Sequence, residues 1–124
     1  MTGTWPLYLG AVIVAGWGIA HIVPTKAVVS SFGPISPDSR RIIAMEWVAE
    51  GLALIFIGLL TLIVALSAGP GDATAVLVFR LSAAALCVLA VWTLIAGFRT
   101  SVLPIRICPV VLMTAAVLLV VGAS

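Results

Sequence analysis

Charged residues are scarce in this sequence. Asp, Glu, Lys and Arg make up 8 % of the 124 residues and the formal net charge is +2, whereas globular domains carry about 25 % charged residues. Too few polar side chains are present to cover a water-facing surface of this size, and a hydrophobic content of 64 % excludes a disordered chain. The lack of a basic run excludes a nucleic-acid-binding surface. The solvent that suits this composition is lipid.

Cysteine is equally scarce, with Cys87 and Cys108 the two in the chain. They form no CxxC motif and lie in apolar stretches, so the sequence predicts neither a disulfide scaffold nor a zinc site. In antiparallel neighbouring helices the two thiols would fall at similar depths. This leaves a redox pair open beside the simpler interpretation of two buried apolar thiols. The first residues lack the Lys or Arg of a signal peptide, so we interpret the first apolar segment as a retained transmembrane helix.

Long apolar runs dominate the chain instead. A membrane-spanning helix needs about 20 mostly apolar residues. Four runs meet this need, at about residues 7–23, 42–66, 73–98 and 103–121. They take up nearly the whole chain, so we predict a single integral membrane domain over residues 1–124. The expected fold is all-α, a four-transmembrane-helix bundle with up-down topology.

The second of these helices is predicted to begin before the membrane. Ser36, Pro37 and Asp38 supply an N-cap hydroxyl, a proline at the first helical position and an acid in the first turn. A helix from Pro37 to residue 66 would be roughly 45 Å long, whereas the hydrocarbon core is about 30 Å thick. Its first turns, which carry Arg40 and Arg41, should therefore project into the headgroup region.

The cationic residues of the loops predict the orientation. Lys26, Arg40 and Arg41 belong to the first loop, and Arg99 and Arg106 to the third. The second loop and both ends of the chain have no Lys or Arg. By the positive-inside rule the first and third loops face the cytoplasm, so both termini are expected outside.

Four ionisable residues lie inside the predicted spans, namely His21, Glu46, Glu50 and Arg80. Such residues are costly within a membrane and mark functional sites by default. Two adjacent carboxylates in a low-dielectric environment are not both readily ionised, and a carboxyl group beside an imidazole suits acid–base chemistry or proton relay. Trp17 lies one helical turn before the single histidine and Trp47 lies between the two glutamates. We therefore predict a polar pocket in the inner leaflet, with catalytic residues His21, Glu46 and Glu50 and binding residues Trp17, Trp47 and Arg80.

A structural role for the same residues stays open. Glu50 would then pair with Arg80, and Glu46 with His21 or an arginine of the first loop, so that the ion pairs fix helix register without chemistry. A metal or haem site is less favoured, because one histidine and two carboxylates fall short of the ligand set of a typical site. An oligomer supplying His21 from several subunits would be needed. The pattern specifies no metal and no cofactor.

Part of the chain resembles a known family. The stretch Glu46–Leu60, EWVAEGLALIFIGLL, is similar to the second helix of DoxX-like proteins, which carry a Glu followed by glycines and a leucine-rich run; Glu50-Gly51 and Gly58 match best. The glycine-rich end of the first helix, GWGIAH up to His21, also resembles theirs. The resemblance implies a small four-helix protein of the bacterial cytoplasmic membrane with an accessory or redox- and quinone-linked role, often exerted through a partner protein.

Three classes of function fit these observations. The first is a DoxX-like accessory or quinone-linked membrane protein. The second is a small intramembrane enzyme that acts on a lipophilic substrate by acid–base chemistry. The third is a transporter protomer, which would need a homo-oligomer because so short a chain does not enclose a pore alone. Membrane lipid and a lipophilic small molecule or quinone are therefore the expected partners, and the sequence does not specify a reaction.

Overall fold

The computed structural model describes residues 3–123, which form five α-helices. They are α1 (Trp5–Ile22), α2 (Thr25–Ser31), α3 (Pro37–Ser67), α4 (Ala73–Gly97) and α5 (Leu103–Gly122). All but α2 are long and apolar enough to cross a membrane, which confirms the prediction of an all-α protein with four candidate spans. The limits of the predicted apolar runs agree with the helix ends to within two residues, except at the start of α3. There the helix begins at Pro37, five residues before the apolar run, as the capping pattern predicts.

Side-chain caps fix where two of the long helices begin. The Ser36 hydroxyl accepts a hydrogen bond from the backbone N–H of Ser39 at 3.1 Å, and Pro37 follows in the first turn of α3. The Asp72 carboxylate accepts one from the N–H of Ala75 at 2.9 Å at the start of α4. Such caps satisfy N–H groups that the first turn of a helix leaves without a partner.

The short helix α2 was not predicted from the sequence. Its seven residues are too few for a membrane span or for a recognisable hydrophobic period. It buries Val28 and Val29 and contacts α3. The Thr25 hydroxyl at its start donates to the backbone carbonyl of Ile22, which gives a partner to a carbonyl at the end of α1. The segment between the first two spans is thus folded back onto the bundle.

The four long helices are not equally packed against one another. The helix α1 lies between α3 and α5, and α4 packs mainly against α5, whereas α3 and α4 contact each other only slightly. Gly122 of α5 meets Leu7 of α1, and Gly97 of α4 meets Ile105 of α5, so these neighbours run antiparallel. The end of α1, the start of α3, the end of α4 and the start of α5 therefore share one end of the bundle, which we call the basic end.

Glycines bring α1 and α3 into backbone contact. A Cβ atom at Gly18 would lie 2.6 Å from the carbonyl oxygen of Gly51, and one at Gly58 would lie 2.6 Å from the backbone nitrogen of Ala15. Neither position has room for a side chain. Close approach through small residues is a main source of helix association in lipid, where the hydrophobic effect between helices is lost. One turn beyond the Gly18–Gly51 contact, His21 comes to lie against Trp47.

The distribution of large apolar side chains matches a lipid environment. Leu54, Phe79 and Leu112 are completely buried in a core shared by the four long helices. On the outer faces Phe56 is 65 % exposed and Ile95 is 70 % exposed. Extended apolar surfaces of this kind are rare on soluble monomers and are the expected lipid-facing surface of a membrane bundle.

Candidate functional site

The candidate site begins with His21 in the last turn of α1. Its imidazole is buried and stacks on the Trp47 indole, with ring centroids 4.0 Å apart and planes inclined by 14°. The indole N–H of Trp47 donates to the backbone carbonyl of His21. The last carbonyls of a helix have no partner within the helix, so Trp47 caps α1 and positions the imidazole at the same time.

Glu50 lies beside this stacked pair, one turn along α3 from Trp47. Its Oε2 is 3.5 Å from Nε2 of His21, and its side chain is 29 % exposed. Nε2 of His21 and Oε1 of Glu50 are both buried, and neither has a hydrogen-bond partner within residues 3–123. Buried polar atoms in proteins are almost always hydrogen-bonded. Nε2 of His21 and Oε1 of Glu50 can therefore each form a hydrogen bond that they do not form within the described chain.

Trp17 extends the site toward α5. It lies one turn before His21 on α1, and its indole N–H donates to Sγ of Cys108 at 3.4 Å. The Cys108 thiol is buried, is also within reach of the Thr93 hydroxyl of α4, and lies in electrostatic range of Glu50. We refer to His21, Trp47, Glu50, Trp17 and Cys108 as the polar cluster. All four long helices meet at or beside it.

Cys108 and Thr93 are residues at the site that the sequence pattern does not predict. Both lie in apolar stretches, and nothing in the hydrophobic pattern distinguishes a thiol that meets an indole from one that merely fills the core. Cys87, the other cysteine, has its Sγ 3.9 Å from Sδ of Met113, and both cysteines are free. The two thiols have separate partners, so the structure does not form the redox pair that the sequence left open.

Glu46 lies outside the polar cluster, although its position one helical turn before Glu50 predicts a shared site. Its side chain is exposed, and it forms no ion pair in the described part of the chain. The face of α3 that contacts α1 is defined by Trp47 and Gly51, both buried. Glu46 precedes that face by one residue and therefore points away from α1. The predicted pairing of Glu46 with His21 is not formed, because Glu50 takes that position.

Arg80 is also separate from the cluster. Its side chain is exposed on α4, and the ion pairs within residues 3–123 are His21–Glu50 and the surface pair Arg41–Asp38 at 3.6 Å. The alternative in which Glu50 pairs with Arg80 is therefore wrong. The reason is packing: α4 lies against α5 rather than α3, which leaves Arg80 on the outer surface, where a long side chain reaches the headgroup level.

The arrangement offers proton exchange in apolar surroundings. An imidazole and a carboxylate lie side by side, flanked by two indoles. Within the described residues no group of three or more His, Cys, Asp or Glu side chains could hold a metal ion. The side chains of the polar cluster offer hydrogen bonding, proton transfer, a thiol and stacking on aromatic faces.

Fold and composition together define the class: a helical protein whose described residues include four candidate membrane spans and the polar cluster. Comparison with known proteins gives no matching protein-family model, curated protein or solved structure.

Proposed function

We propose that this protein is a DoxX-like accessory protein of the bacterial inner membrane that binds a quinone or a similar lipophilic molecule at the polar cluster. The observation that carries the proposal is that two buried atoms, Nε2 of His21 and Oε1 of Glu50, lack hydrogen-bond partners, on side chains that approach to 3.5 Å between Nε2 and Oε2. Leaving such groups unsatisfied costs about 1–3 kcal/mol each. A ligand with a polar head and an apolar body would recover this free energy.

The chemistry of the cluster suits a ring with carbonyl or hydroxyl groups. The imidazole N–H of His21 would donate to a carbonyl oxygen, and the Glu50 carboxylate would accept from a hydroxyl. Trp17, which is half-buried, would supply an apolar face for the ring, whereas Trp47 is buried and holds the imidazole by stacking on it. Glu50 is the member of the buried pair that is partly exposed, so the ligand would enter from the side of α3 that carries it.

A titration with a short-tailed quinol, whose hydroxyls can donate to the Glu50 carboxylate, tests the proposal. Decylubiquinol added under anaerobic conditions to the purified protein in detergent should quench tryptophan fluorescence with saturation, because Trp17 and Trp47 adjoin the site. His21→Gln and Glu50→Gln should each weaken binding at least about tenfold, the loss expected for one buried hydrogen bond to a charged or polar group.

Glu46→Gln is the matched control for this titration. It removes the same carboxylate from the same helix one turn away, at an exposed position, and should leave the dissociation constant unchanged. Equal losses for Glu46→Gln and Glu50→Gln, or quenching that does not saturate in the wild-type protein, would contradict a site at the polar cluster.

A second candidate is a small intramembrane enzyme that uses His21 and Glu50 as acid and base. The 3.5 Å separation of Nε2 and Oε2 favours it, because the two groups are close enough to exchange a proton and to act on neighbouring atoms of a bound substrate. Mass spectrometry of lipids that co-purify with the wild type and with Glu50→Gln separates the two functions. An enzyme variant should accumulate an unconverted substrate, whereas a binding protein should lose its ligand unchanged.

The proposed orientation places the basic end in the cytoplasm and both termini outside. Lys26, Arg40, Arg41, Arg99 and Arg106 all lie at or next to the basic end, and the short turn 68–72 at the other end has no Lys or Arg. The positive-inside rule then puts the polar cluster in the cytoplasmic half of the membrane, one to four turns from the basic end.

A further inference from the structure

A large groove opens at the basic end, outside the polar cluster. It has a volume of about 610 Å³ and lies between α2 and the first turns of α3. Three cationic side chains line it: Lys26 from α2 and Arg40 and Arg41 from α3. A volume of this size is within the usual range of small-molecule sites, about 300–1,000 Å³.

The cations of the groove are available to a ligand. Lys26 takes part in no ion pair within residues 3–123. Arg40 donates from one nitrogen, Nη2, to the carbonyl of Gly33 at 3.1 Å, which leaves other guanidinium donors free. Arg41 pairs with Asp38 at 3.6 Å, but both side chains are more than 80 % exposed, and such surface pairs are weak and exchange readily. Counting Asp38, three positive charges and one negative charge leave a local net charge of +2.

Apart from the hydroxyl residues Thr25 and Ser30, the remaining walls of the groove are apolar. Val23, Val29 and Ala44 line it together with the cations, and Val23 directly follows the last residue of α1. The groove therefore continues from the cationic side chains onto the apolar surface of a membrane span. A free anion would use only the cations, whereas an amphiphile with an anionic head would use both parts.

The length of α3 places the groove at the depth of lipid headgroups. The helix has 31 residues and is roughly 46 Å long at ~1.5 Å per residue, against about 30 Å of hydrocarbon. Arg40 and Arg41 lie in its first two turns. Phosphate groups of the adjoining leaflet occupy this level, and Arg and Lys are the side chains that bind them.

We propose that this groove binds the phosphate headgroup of an anionic phospholipid, with the acyl chains lying along Val23 and Ala44. The bound lipid would fasten α2 to α3 and so fix the segment that follows His21 in the chain.

Lipid retention and stability can be measured together. The protein is placed in nanodiscs of phosphatidylcholine, with or without one fifth phosphatidylglycerol, and released for native mass spectrometry. Phosphatidylglycerol should stay bound and should raise the unfolding temperature in detergent; phosphatidylcholine and glycerol 3-phosphate should do neither. Stabilisation by glycerol 3-phosphate equal to that by phosphatidylglycerol would overturn the lipid assignment in favour of a soluble anion.

Two double variants, each of which removes two positive charges, test whether phosphatidylglycerol binds in the groove. Lys26→Gln with Arg40→Gln should weaken phosphatidylglycerol binding about 25-fold, taking about fivefold for each cation. Arg99→Gln with Arg106→Gln removes the same charge from the same end, outside the groove, and should change binding less than about twofold. Equal losses in the two double variants would show a diffuse attraction and overturn the proposal.

A variant that keeps every cation gives an independent test. Ala44→Trp fills the apolar part of the groove and should also release phosphatidylglycerol, although the net charge is unchanged. Full retention by this variant would mean that the lipid does not enter the groove, and the proposal would then be wrong.

Discussion

At the residue scale, Trp47 makes two contacts with one neighbour. Its ring stacks on the His21 imidazole, and its N–H satisfies the His21 backbone carbonyl. The first contact depends on an aromatic face and the second on an indole nitrogen, so substitution can separate them.

Trp47→Phe should keep an aromatic face for His21 and leave the carbonyl at the end of α1 without its partner. The expected loss in the free energy of unfolding is about 1–3 kcal/mol, the cost of a buried unsatisfied acceptor. Trp92→Phe is the control, because Trp92 is 65 % exposed and its replacement should change stability by less than about 0.5 kcal/mol. Thermal unfolding in detergent measures both; equal losses would contradict the capping role of Trp47.

Arg80→Leu should be nearly neutral, within about 0.5 kcal/mol in the free energy of unfolding. The side chain is exposed and forms no ion pair in the described part of the chain, so no buried charge loses its partner. In the double variant Arg80→Leu with Glu50→Gln, the losses in the free energy of unfolding of the two single variants should add, as they do for residues that share no contact. Unfolding of the wild type, the two single variants and the double variant gives this double-mutant cycle. A coupling free energy above about 0.5 kcal/mol would revive the Glu50–Arg80 pair.

At the element scale, the contact between α1 and α3 decides the geometry of the site. His21 belongs to one helix, and Trp47 and Glu50 belong to the other, so any separation of the two backbones opens the polar cluster. The glycines where α1 and α3 cross permit the short distance between the two helix backbones.

Gly58→Ala tests this dependence. The new Cβ would meet backbone atoms of Ala15 and Ala11 at 2.6 and 2.7 Å, which cannot move without displacing α1. We expect a loss of about 1–3 kcal/mol in the free energy of unfolding, the usual cost of overpacking, and weaker quinol binding if the polar cluster is the ligand site.

Gly16→Ala is the control for Gly58→Ala. It adds the same methyl group to α1 at a position with no atom within 4 Å, and removing a helical glycine should stabilise by about 0.5–1 kcal/mol. Opposite signs for the two substitutions are expected in thermal unfolding. Two losses of similar size would mean that glycine is needed for a reason other than helix approach.

At the scale of the whole molecule, the orientation that we propose from the loop charges can be measured with two matched serines. Ser31 ends α2 at the basic end, and Ser67 ends α3 at the opposite end; both are exposed. Their hydroxyls donate to local backbone carbonyls, those of Val28 and Ile63, so a cysteine at either site disturbs the fold equally little.

In intact cells a membrane-impermeant maleimide should label Ser67→Cys and should label Ser31→Cys only after the cells are opened. The native thiols supply the background control: Cys108 is buried and Cys87 is half-buried, and both lie within spans. Labelling of Ser31→Cys from outside would reverse the proposed orientation and move the polar cluster to the outer half of the membrane.

Much of this protein follows from its sequence alone. The four long helices, the start of α3 at Ser36-Pro37 and the presence of His21 and Glu50 inside apolar segments are local properties: apolar run length, a capping hydroxyl, and ionisable side chains among apolar ones. They need no knowledge of which helix lies beside which. The resemblance to DoxX-like proteins remains a prediction.

Only the tertiary structure decided which of those ionisable residues meet. Spacing alone placed Glu46 with Glu50 and allowed Arg80 to reach Glu50, but spacing does not say which face of α3 lies against α1 or that α4 packs on α5. The close approach at Gly18 and Gly51 turns Trp47 and Glu50 toward His21 and leaves Glu46 outside, and the contact of α1 with α5 brings Cys108 to Trp17. Helix pairing is a long-range choice among several apolar surfaces of similar hydrophobicity, and in lipid it is decided by shape and small residues rather than by composition.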